Sequence, residues 1–226
     1  MSNDRNTPGR GRLFVVSAPS GAGKTTLVRR LVEQRPDLRF SVSYTTRPKR
    51  EREVNGEDYF FVTPQEFERL RDSGELLEHA SVFGNSYGTS RRQVLDLLES
   101  GTDVLLEIDW QGAAQVRANM PECTSIFILP PSIPELERRL RGRGTDSEQV
   151  IERRLNEALD DISHWQEFDY VVVNDDLDTA VAALQEILAG HGEPYSSASP
   201  DIRARVMAIL DTARSGQMIA GDRQKR

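Results

Sequence analysis

The chain has 226 residues, and its 36 acidic side chains outnumber its 29 lysines and arginines, which gives a formal net charge of −7. This length allows one sizeable α/β core with inserted subdomains, and the acidic balance argues against a nucleic-acid coat. The single cysteine, Cys123, excludes an internal disulfide, and no Cys/His spacing is typical of zinc.

Residues 1–12 open the chain with Asn, Arg, Gly and Pro and no periodicity, which predicts a disordered lead-in. This stretch lacks the apolar centre of a signal peptide, and no later segment approaches the ~20 apolar residues needed to span a membrane. We therefore expect a cytoplasmic protein with neither a membrane nor a nucleic-acid partner.

An apolar run, Leu13–Val16, is followed by a glycine-rich loop, and this order predicts a strand, a phosphate-binding loop and a helix. The backbone N–H groups of such a loop, with the N-terminus of the helix, surround polyphosphate. Lys24 would reach the β- and γ-phosphates, and the Thr25 hydroxyl would hold Mg²⁺. Ala18 replaces the usual first glycine, and the alternative interpretation is an ordinary glycine-rich turn. The predicted loop residues are Ala18, Pro19, Ser20, Gly21, Ala22, Gly23, Lys24, Thr25 and Thr26.

Three further apolar runs lack polar alternation, as expected of strands in a parallel sheet with helices on both faces. The runs are Val104–Ile108, Ser125–Leu129 and Tyr170–Val173. Apolar stripes at helical spacing lie between the runs, and capping boxes predict where helices begin. The capping pairs are Thr63 with Glu66, Ser90 with Gln93, and Thr145 with Glu148. The pattern predicts an α/β fold, a doubly wound and mainly parallel sheet with a phosphate-binding loop.

Two segments interrupt this alternation of strands and helices. Residues 41–90 are rich in Tyr, Phe, Arg and Gly and predict a strand-rich insertion, while residues 137–166 predict a helical lid hinged at Gly142-Arg143-Gly144. Substrate domains and lids commonly lie in such insertions above the C-terminal edge of a sheet. The core would then comprise residues 13–40, 91–136 and 167–190.

Six further motifs follow the phosphate-binding loop in the chain, together with the lone Glu78. They are Ser41–Arg50, Val54–Phe60, Tyr87–Thr89, Glu107–Gly112, Gly142–Thr145 and Val173–Asp176. In this order, they resemble bacterial guanylate kinases of the P-loop nucleoside-monophosphate kinase superfamily. The resemblance implies a kinase domain over residues 13–190, in which the insertion at 41–90 binds GMP. It further implies ATP-dependent phosphorylation of GMP to GDP, and also phosphorylation of dGMP, in purine nucleotide metabolism, with Mg²⁺ as cofactor.

A nucleoside monophosphate brings a dianionic phosphate, and a cluster of hydrogen-bond donors is needed to hold it. Arg47 and Arg50 each offer a fork of N–H groups, and Tyr59 and Tyr87 offer hydroxyl donors. The resemblance implies that these four residues bind the GMP phosphate. The alternative for the two arginines is a solvated basic loop.

Guanine presents N1–H and an exocyclic amine as donors and O6 as an acceptor, so a carboxylate with nearby hydroxyls can recognise it. By resemblance, Glu78 is this carboxylate, Ser43 and Thr89 are the hydroxyls, and Glu107 matches a further carboxylate near the base. Adenine would leave Glu78 facing the lone pair of N1. Without the resemblance, Glu78 would be interpreted as a charge on a helix surface.

The remaining candidates would act on ATP and its metal ion. Asp109 ends an apolar strand, where a P-loop enzyme places a carboxylate that organises Mg²⁺ through water, although a turn residue is the alternative. The resemblance implies that Asn174 contacts adenine and that Arg143 closes over the triphosphate, assisted by Arg154. The expected catalytic residues are Lys24, Arg47, Arg143 and Arg154. Solvated helix charges are expected at Arg138, Arg139 and Arg141, although one of them could be a further contact.

Three other functions fit parts of this sequence. A related kinase could phosphorylate a ribose phosphate, but Glu78 and Ser43 favour a nucleotide base. A switch GTPase would need a motif resembling Asn-Lys-x-Asp, which the sequence lacks. A non-catalytic guanylate-kinase-like module would bind protein partners, but such modules typically degrade the phosphate loop, and Lys24 and Thr25 are intact.

Residues 191–226 begin with a loop composition, and they are expected to form a C-terminal tail. Within the tail, one amphipathic helix is indicated by the spacing of Ile202, Val206, Ile209 and Leu210. The sequence allows either a monomer or a homodimer.

Overall fold

The computed structural model describes residues 9–82, 84–142 and 147–223, with side chains described as far as residue 212. The elements in chain order are β1 (Leu13–Ser17), α1 (Lys24–Gln34), β2 (Leu38–Phe40), β3 (Tyr44–Thr45), β4 (Phe60–Phe61), α2 (Pro64–Asp72), β5 (Leu76–Val82), β6 (Asn85–Ser90), α3 (Arg91–Glu99), β7 (Asp103–Glu107), α4 (Trp110–Asn119), β8 (Thr124–Leu129), α5 (Ile133–Arg141), α6 (Glu148–Ser163), β9 (Tyr170–Val173), α7 (Leu177–Leu188) and α8 (Pro200–Arg223). None of the helices in the described ranges is long and apolar enough to cross a membrane.

The chain divides into two compact units. The first comprises the described residues up to 16 together with 32–125, and the second comprises 17–31 together with the described residues from 126 onward. Each unit contains both strands and helices, as an α/β chain requires.

Three strands of the first unit form a parallel sheet in the order β2-β7-β1, with Leu13 opposite Val104 and Leu38 opposite Asp103. All of β1 is buried, as are the first four residues of β7, so the predicted apolar strands are confirmed at these positions. β2 was not predicted, because only Leu38 of its three residues is buried and no apolar run marks it.

A second sheet of the first unit lies within residues 41–90 and has the order β4-β3-β6-β5. β5 and β6 form an antiparallel hairpin, and the side chains of Phe67, Leu70 and Leu76 form a small core beneath the sheet. The predicted caps of α2 and α3 are present, because the Thr63 hydroxyl accepts from Glu66 N–H at 3.2 Å and the Ser90 hydroxyl accepts from Gln93 N–H at 3.3 Å.

The second unit contains the parallel pair β8 and β9, in which Ile126 lies opposite Tyr170. Both strands were predicted from their apolar runs. Helices α5 and α6 pack together through Leu136, Leu140 and Ala158. The predicted capping box at the start of α6 is wrong in register, because the helix begins at Glu148 directly after the N-cap residue Ser147. Its other predicted member, Thr145, lies outside the described residues.

The C-terminal segment forms a longer helix than the amphipathic spacing indicated, since α8 runs from Pro200 to Arg223. Ile202, Val206 and Ile209 are buried, with Val206 fully so, and α8 packs against α5. The Thr212 hydroxyl accepts from Ile133 N–H at 3.0 Å and thereby satisfies one of the free donors at the N-terminus of α5.

Candidate active site

The glycine-rich loop connects β1 to α1 in the conformation that a phosphate-binding loop requires. Gly21 and Gly23 both have φ +92°, a region that side chains with a Cβ rarely adopt. Lys24 is the first residue of α1, so it and the exposed Thr25 lie at the N-terminal end of the helix. The loop therefore directs backbone N–H groups and the positive end of a helix dipole to one place.

Two side chains of the second unit brace this loop from outside. The buried Asn174 donates from Nδ2 to the carbonyl of Ala22 at 2.7 Å, and a Cβ on Gly23 would lie 2.4 Å from the same nitrogen. Arg139 donates to the carbonyl of Ala22 at 3.3 Å and to that of Asn174 at 3.2 Å. These contacts fix the backbone of the loop. The predicted contact of Asn174 with adenine stays a prediction.

The expectation of solvated helix charges is wrong for Arg139 and holds for its neighbours. Arg138 and Arg141 form ion pairs at the surface of α5, whereas the Arg139 side chain is only 25% exposed. A signal for this difference was present in the sequence. Arg139 follows the apolar Leu136 by three residues and therefore lies on the packed face of the helix.

Of the two lid arginines predicted from the resemblance, one can be described. Arg154 on α6 donates from Nη2 to the hydroxyl of Ser20 at 2.8 Å, so it reaches the phosphate-binding loop. Arg143 lies outside the described residues. Its predicted role stays a prediction.

In the first unit, Arg47 packs against two aromatic rings. Its guanidinium lies 5.4 Å from the centroid of the Tyr59 ring and 5.7 Å from that of Phe61, and the Tyr59 and Tyr87 rings meet edge to face at 6.0 Å. Burial raises the pKa of the Tyr59 hydroxyl, which therefore stays protonated and able to donate. Three of the four predicted phosphate-binding residues are thus brought together.

A carboxylate that the sequence analysis missed occupies the donors of Arg47. Glu53 accepts from Arg47 Nη2 at 2.6 Å and from Nη1 at 3.1 Å, and it also accepts from the backbone N–H of Arg50 at 2.7 Å. This hydrogen bonding raises the pKa of Arg47 and lowers that of Glu53. Glu53 therefore occupies guanidinium donors of Arg47 that an anion would use, and it is tied to Arg50 through the backbone. Its position in a basic loop was the only sequence signal for this role.

Glu78 is a buried residue of a strand and not a charge on a helix. It lies opposite Thr89 in the β5–β6 hairpin and is 3% exposed. The pairing register of β5 shifts between Leu76 and Glu78, and this irregularity allows consecutive residues of the strand to be buried. Burial raises the pKa of Glu78 to about 7, opposed by the hydrogen bond from Thr89 and reinforced by the charge of Asp109.

The hydroxyl of Thr89 donates to Glu78 Oε1 at 2.6 Å, and Thr89 is fully buried. A threonine hydroxyl has a single proton, so while it is bound to Glu78 it cannot also be given to O6 of guanine. The predicted contact of Thr89 with O6 stays a prediction, and it competes with this hydrogen bond.

The other predicted residues of the first unit lie at the ends of strands. Glu107 is the last residue of β7 and is half-buried, and Ser43 directly precedes β3. Asp109 is the N-cap of α4, since its Oδ1 accepts from Gly112 N–H at 2.7 Å. Asp109 therefore has a local role as a helix cap, which differs from the turn residue considered as the alternative. Its predicted part in organising Mg²⁺ stays a prediction.

A family model described as guanylate kinase matches residues 10–191. The chain belongs to the guanylate kinase family. It is 56% identical over 200 residues to the guanylate kinase of Alkalilimnicola ehrlichii, which covers 88% of this chain and 98% of that protein. It is 54% identical over 181 residues to the guanylate kinase of Escherichia coli K12, with 79% of this chain and 87% of that protein covered.

A solved structure agrees with this membership. The crystal structure of guanylate kinase from Anaplasma phagocytophilum aligns with a TM-score of 0.67 and 40% identity, over 81% of this chain and 87% of that one. The predicted α/β fold with a mostly parallel sheet, and the predicted class of nucleoside-monophosphate kinase, are therefore confirmed. The guanylate kinase family gives no support to the ribose-phosphate kinase, the switch GTPase or the non-catalytic module.

Proposed function

We propose that this guanylate kinase transfers the γ-phosphoryl group of ATP directly to the phosphate of GMP or dGMP, giving ADP with GDP or dGDP. The observation that carries the choice of guanine is the buried carboxylate of Glu78 in the first unit. A carboxylate kept from water in this way is strongly selective, because a base that offers no donors would leave it unpaired.

On the donor side, Lys24 would hold the β- and γ-phosphates while the N–H groups of residues 18–26 surround them. Asn174 would contact adenine from a position in which its own amide already fixes the loop. Arg154 would neutralise developing charge, since it already contacts Ser20. The bracing of the loop means that its donors need little rearrangement when ATP binds.

The donor set of the loop fits Mg²⁺, and the proposal includes a requirement for this ion. A hydroxyl at the first turn of a helix, beside phosphate oxygens and water, is the kind of ligand set that Mg²⁺ accepts. Thr25 supplies that hydroxyl and is exposed. The ion would supply charge neutralisation on the β- and γ-phosphates. No group of three or more His, Cys, Asp or Glu side chains in the described ranges forms a metal cage, so the nucleotide would provide most ligands.

On the acceptor side, Arg47 and Arg50 would bind the GMP phosphate, with Tyr59 and Tyr87 donating hydroxyl hydrogen bonds. Glu53 now accepts from two Arg47 donors. A dianionic phosphate placed there would take over those donors or share them, because it is the stronger acceptor of a guanidinium fork. GMP binding is therefore expected to loosen the contact between Arg47 and Glu53.

Guanine would be selected by the ionised form of Glu78, which can accept from N1–H and from the exocyclic amine. Ser43, Thr89 and Glu107 complete the set of polar groups assigned to the base. AMP is rejected because the N1 lone pair of adenine would face a carboxylate oxygen in a buried position.

The transfer needs no general base, because the attacking oxygen of GMP is already anionic. Catalysis is then a matter of positioning and charge neutralisation, supplied by Lys24, Arg47, Arg143 and Arg154. A lid formed by residues 137–166 would exclude water and so prevent hydrolysis of ATP. We further propose that the enzyme acts in the cytoplasm, as a monomer or homodimer, without a nucleic-acid or membrane partner.

The test is ADP formation from ATP with each of GMP, dGMP, AMP, CMP and UMP, measured with Mg²⁺ and with a chelator. We expect activity with GMP and dGMP, little with the other three nucleotides, and none in the chelator. Equal rates with GMP and AMP would refute the proposed role of Glu78. Full activity without a divalent cation would refute the proposed metal requirement.

A further inference from the structure

Helix α4 runs beside the strand that carries Glu78 and contacts the backbone on both sides of it. Gln115 accepts from His79 N–H at 3.0 Å and donates to the carbonyl of His79 at 2.7 Å. Asn119 donates to the carbonyl of Leu77 at 2.9 Å. The residues directly before and after Glu78 are therefore both tied to one helix.

These contacts replace a neighbouring strand. β5 is the last strand in the order of its sheet, so the backbone groups on its outer side have no partner strand within that sheet. Such groups at a sheet edge pair with water or with whatever lies beside them. Here the amide side chains of α4 take that place, and they fix the edge of the strand at the position of Glu78.

A third residue of α4 contacts the side chain of Glu78 itself. Gly112 is buried, and a Cβ added to it would lie 2.6 Å from Glu78 Oε2 and 3.3 Å from Asp109 Oδ1. The other carboxylate oxygen, Oε1, is held by Thr89. The carboxylate could therefore move away from a Cβ at position 112 only by straining or breaking its bond to Thr89.

The backbone does not explain the glycine at position 112. The residue lies in the first turn of α4 and has no positive φ, so alanine would be the better helix former there. What the position requires is space for a carboxylate oxygen. Gly112, Gln115 and Asn119 follow one another at intervals of three and four residues and so lie along one face of the helix.

We propose that Gly112, Gln115 and Asn119 are specificity-determining positioning residues, which hold the Glu78 carboxylate where guanine N1–H and the exocyclic amine meet it. The inference rests on the proposed role of Glu78 in recognising guanine. The three residues act through Glu78, so their loss affects GMP and leaves ATP binding unchanged.

The test uses Gly112→Ala, which fills the space, and Gln115→Leu, which removes both hydrogen bonds to His79 and keeps the size of the side chain. The matched control is Gln111→Ala, at an exposed position of the same helix. Steady-state kinetics measure KM for GMP, KM for ATP and kcat for each protein. Thermal unfolding of each variant shows whether the fold is retained.

We expect the KM for GMP to rise roughly tenfold to a hundredfold in both variants, since a displaced recognition group costs about this much. The KM for ATP should stay within twofold of the wild type, and the control should match the wild type throughout. In the double variant Glu78→Gln/Gln115→Leu, the second change should add much less than it does alone, because the two residues act as one unit.

The outcomes separate this inference from the proposed function. If Glu78→Gln raises the KM for GMP while folded Gly112→Ala and Gln115→Leu do not, the positioning role is wrong and the role of Glu78 stands. If Glu78→Gln leaves selectivity for GMP over AMP unchanged, the proposed role of Glu78 itself fails. A similar rise in both Michaelis constants would indicate general disruption and overturn the inference. Should Gly112→Ala not fold, Gln115→Leu decides alone.

Discussion

Glu78 illustrates how burial and charge act against each other in a single residue. The proposed recognition of guanine requires an ionised carboxylate, yet removal of Glu78 from water favours the neutral acid and raises its pKa to about 7. Among the groups around it, Thr89 favours the ionised form through its hydrogen bond, and the charge of Asp109 opposes it. The group proposed to recognise the base therefore has a pKa near neutral pH.

We predict that the KM for GMP falls about tenfold between pH 6 and pH 8, because the ionised fraction of a group with a pKa near 7 rises by about that factor. Glu78→Gln should abolish most of this dependence and raise the KM at pH 8. The variant also serves as the control, because any titration of the GMP phosphate persists in it. A wild-type KM that does not change over this range would contradict the prediction.

The same titration also affects stability. The pKa of Glu78 in the folded state lies above the ordinary value of 4.5. The contribution of Glu78 to the free energy of unfolding is therefore greatest below pH 4.5 and is lost as the pH rises through about 7. The difference in stability between Glu78→Gln and the wild type should therefore shift in favour of the variant between pH 5 and pH 8. Urea denaturation at the two pH values measures this difference.

A substitution of Lys24 tests the role of the phosphate-binding loop at the scale of a single residue. Lys24→Met keeps the approximate length of the side chain and removes its charge, so kcat should fall on the order of 10²–10³-fold while the melting temperature changes little. Arg29→Met, at an exposed position of the same helix, is the matched control and should keep wild-type turnover. Near-normal turnover in Lys24→Met would refute the assignment of the loop.

At the scale of elements, α8 is joined to the core of the second unit although it follows the segment that matches the family. Three of its apolar residues are buried, and its Thr212 accepts from the first N–H of α5. Arg205 forms an ion pair with Asp175 at 2.6 Å, directly after Asn174. Helix α8 therefore supports the helix and the turn that brace the phosphate-binding loop.

We predict that Ile209→Ala lowers the free energy of unfolding by about 2–4 kcal/mol, because it removes a side chain that is buried between helices. Met207→Ala is the control, since Met207 is 47% exposed, and it should change stability by less than about 0.5 kcal/mol. Chemical denaturation measures both. Equal stability of the two variants would show that α8 does not stabilise the core.

At the scale of the whole molecule, the proposed reaction requires that the ATP and GMP sites work in one closed complex. Residues 137–166 are the expected lid, and their described part already contacts the phosphate-binding loop through Arg139 and Arg154. These contacts belong to a single arrangement of the segment. A lid would have to change its protection of amide hydrogens from exchange when nucleotides bind.

We predict that amide hydrogen exchange in residues 137–166 slows when a bisubstrate dinucleotide is bound, because closure excludes water from this segment. Arg143→Ala should lower kcat far more than it raises the KM for GMP, since Arg143 would meet charge only on closure. Arg138→Ala, at an exposed position of α5, is the control. Equal exchange with and without the dinucleotide would rule out a closing lid.

The sequence by itself determined the features that depend on local patterns. Apolar runs located β1, β7, β8 and β9, because a buried parallel strand needs no alternation. The phosphate-binding loop was recognisable because its glycines and Lys24 lie within a few residues of one another. Ordered motifs then indicated the family and, through it, the reaction.

Only the tertiary structure decided which distant residues meet. The meeting of the Tyr59 and Tyr87 rings, the hydrogen bond from Arg139 to Ala22 and the space at Gly112 for Glu78 each depend on how separate segments pack. Similarly, β2 exists because β7 pairs with it and not because its own three residues form a pattern. Hydrogen bonds and van der Waals contacts act over a few ångströms in space, whereas a sequence pattern records only neighbours along the chain.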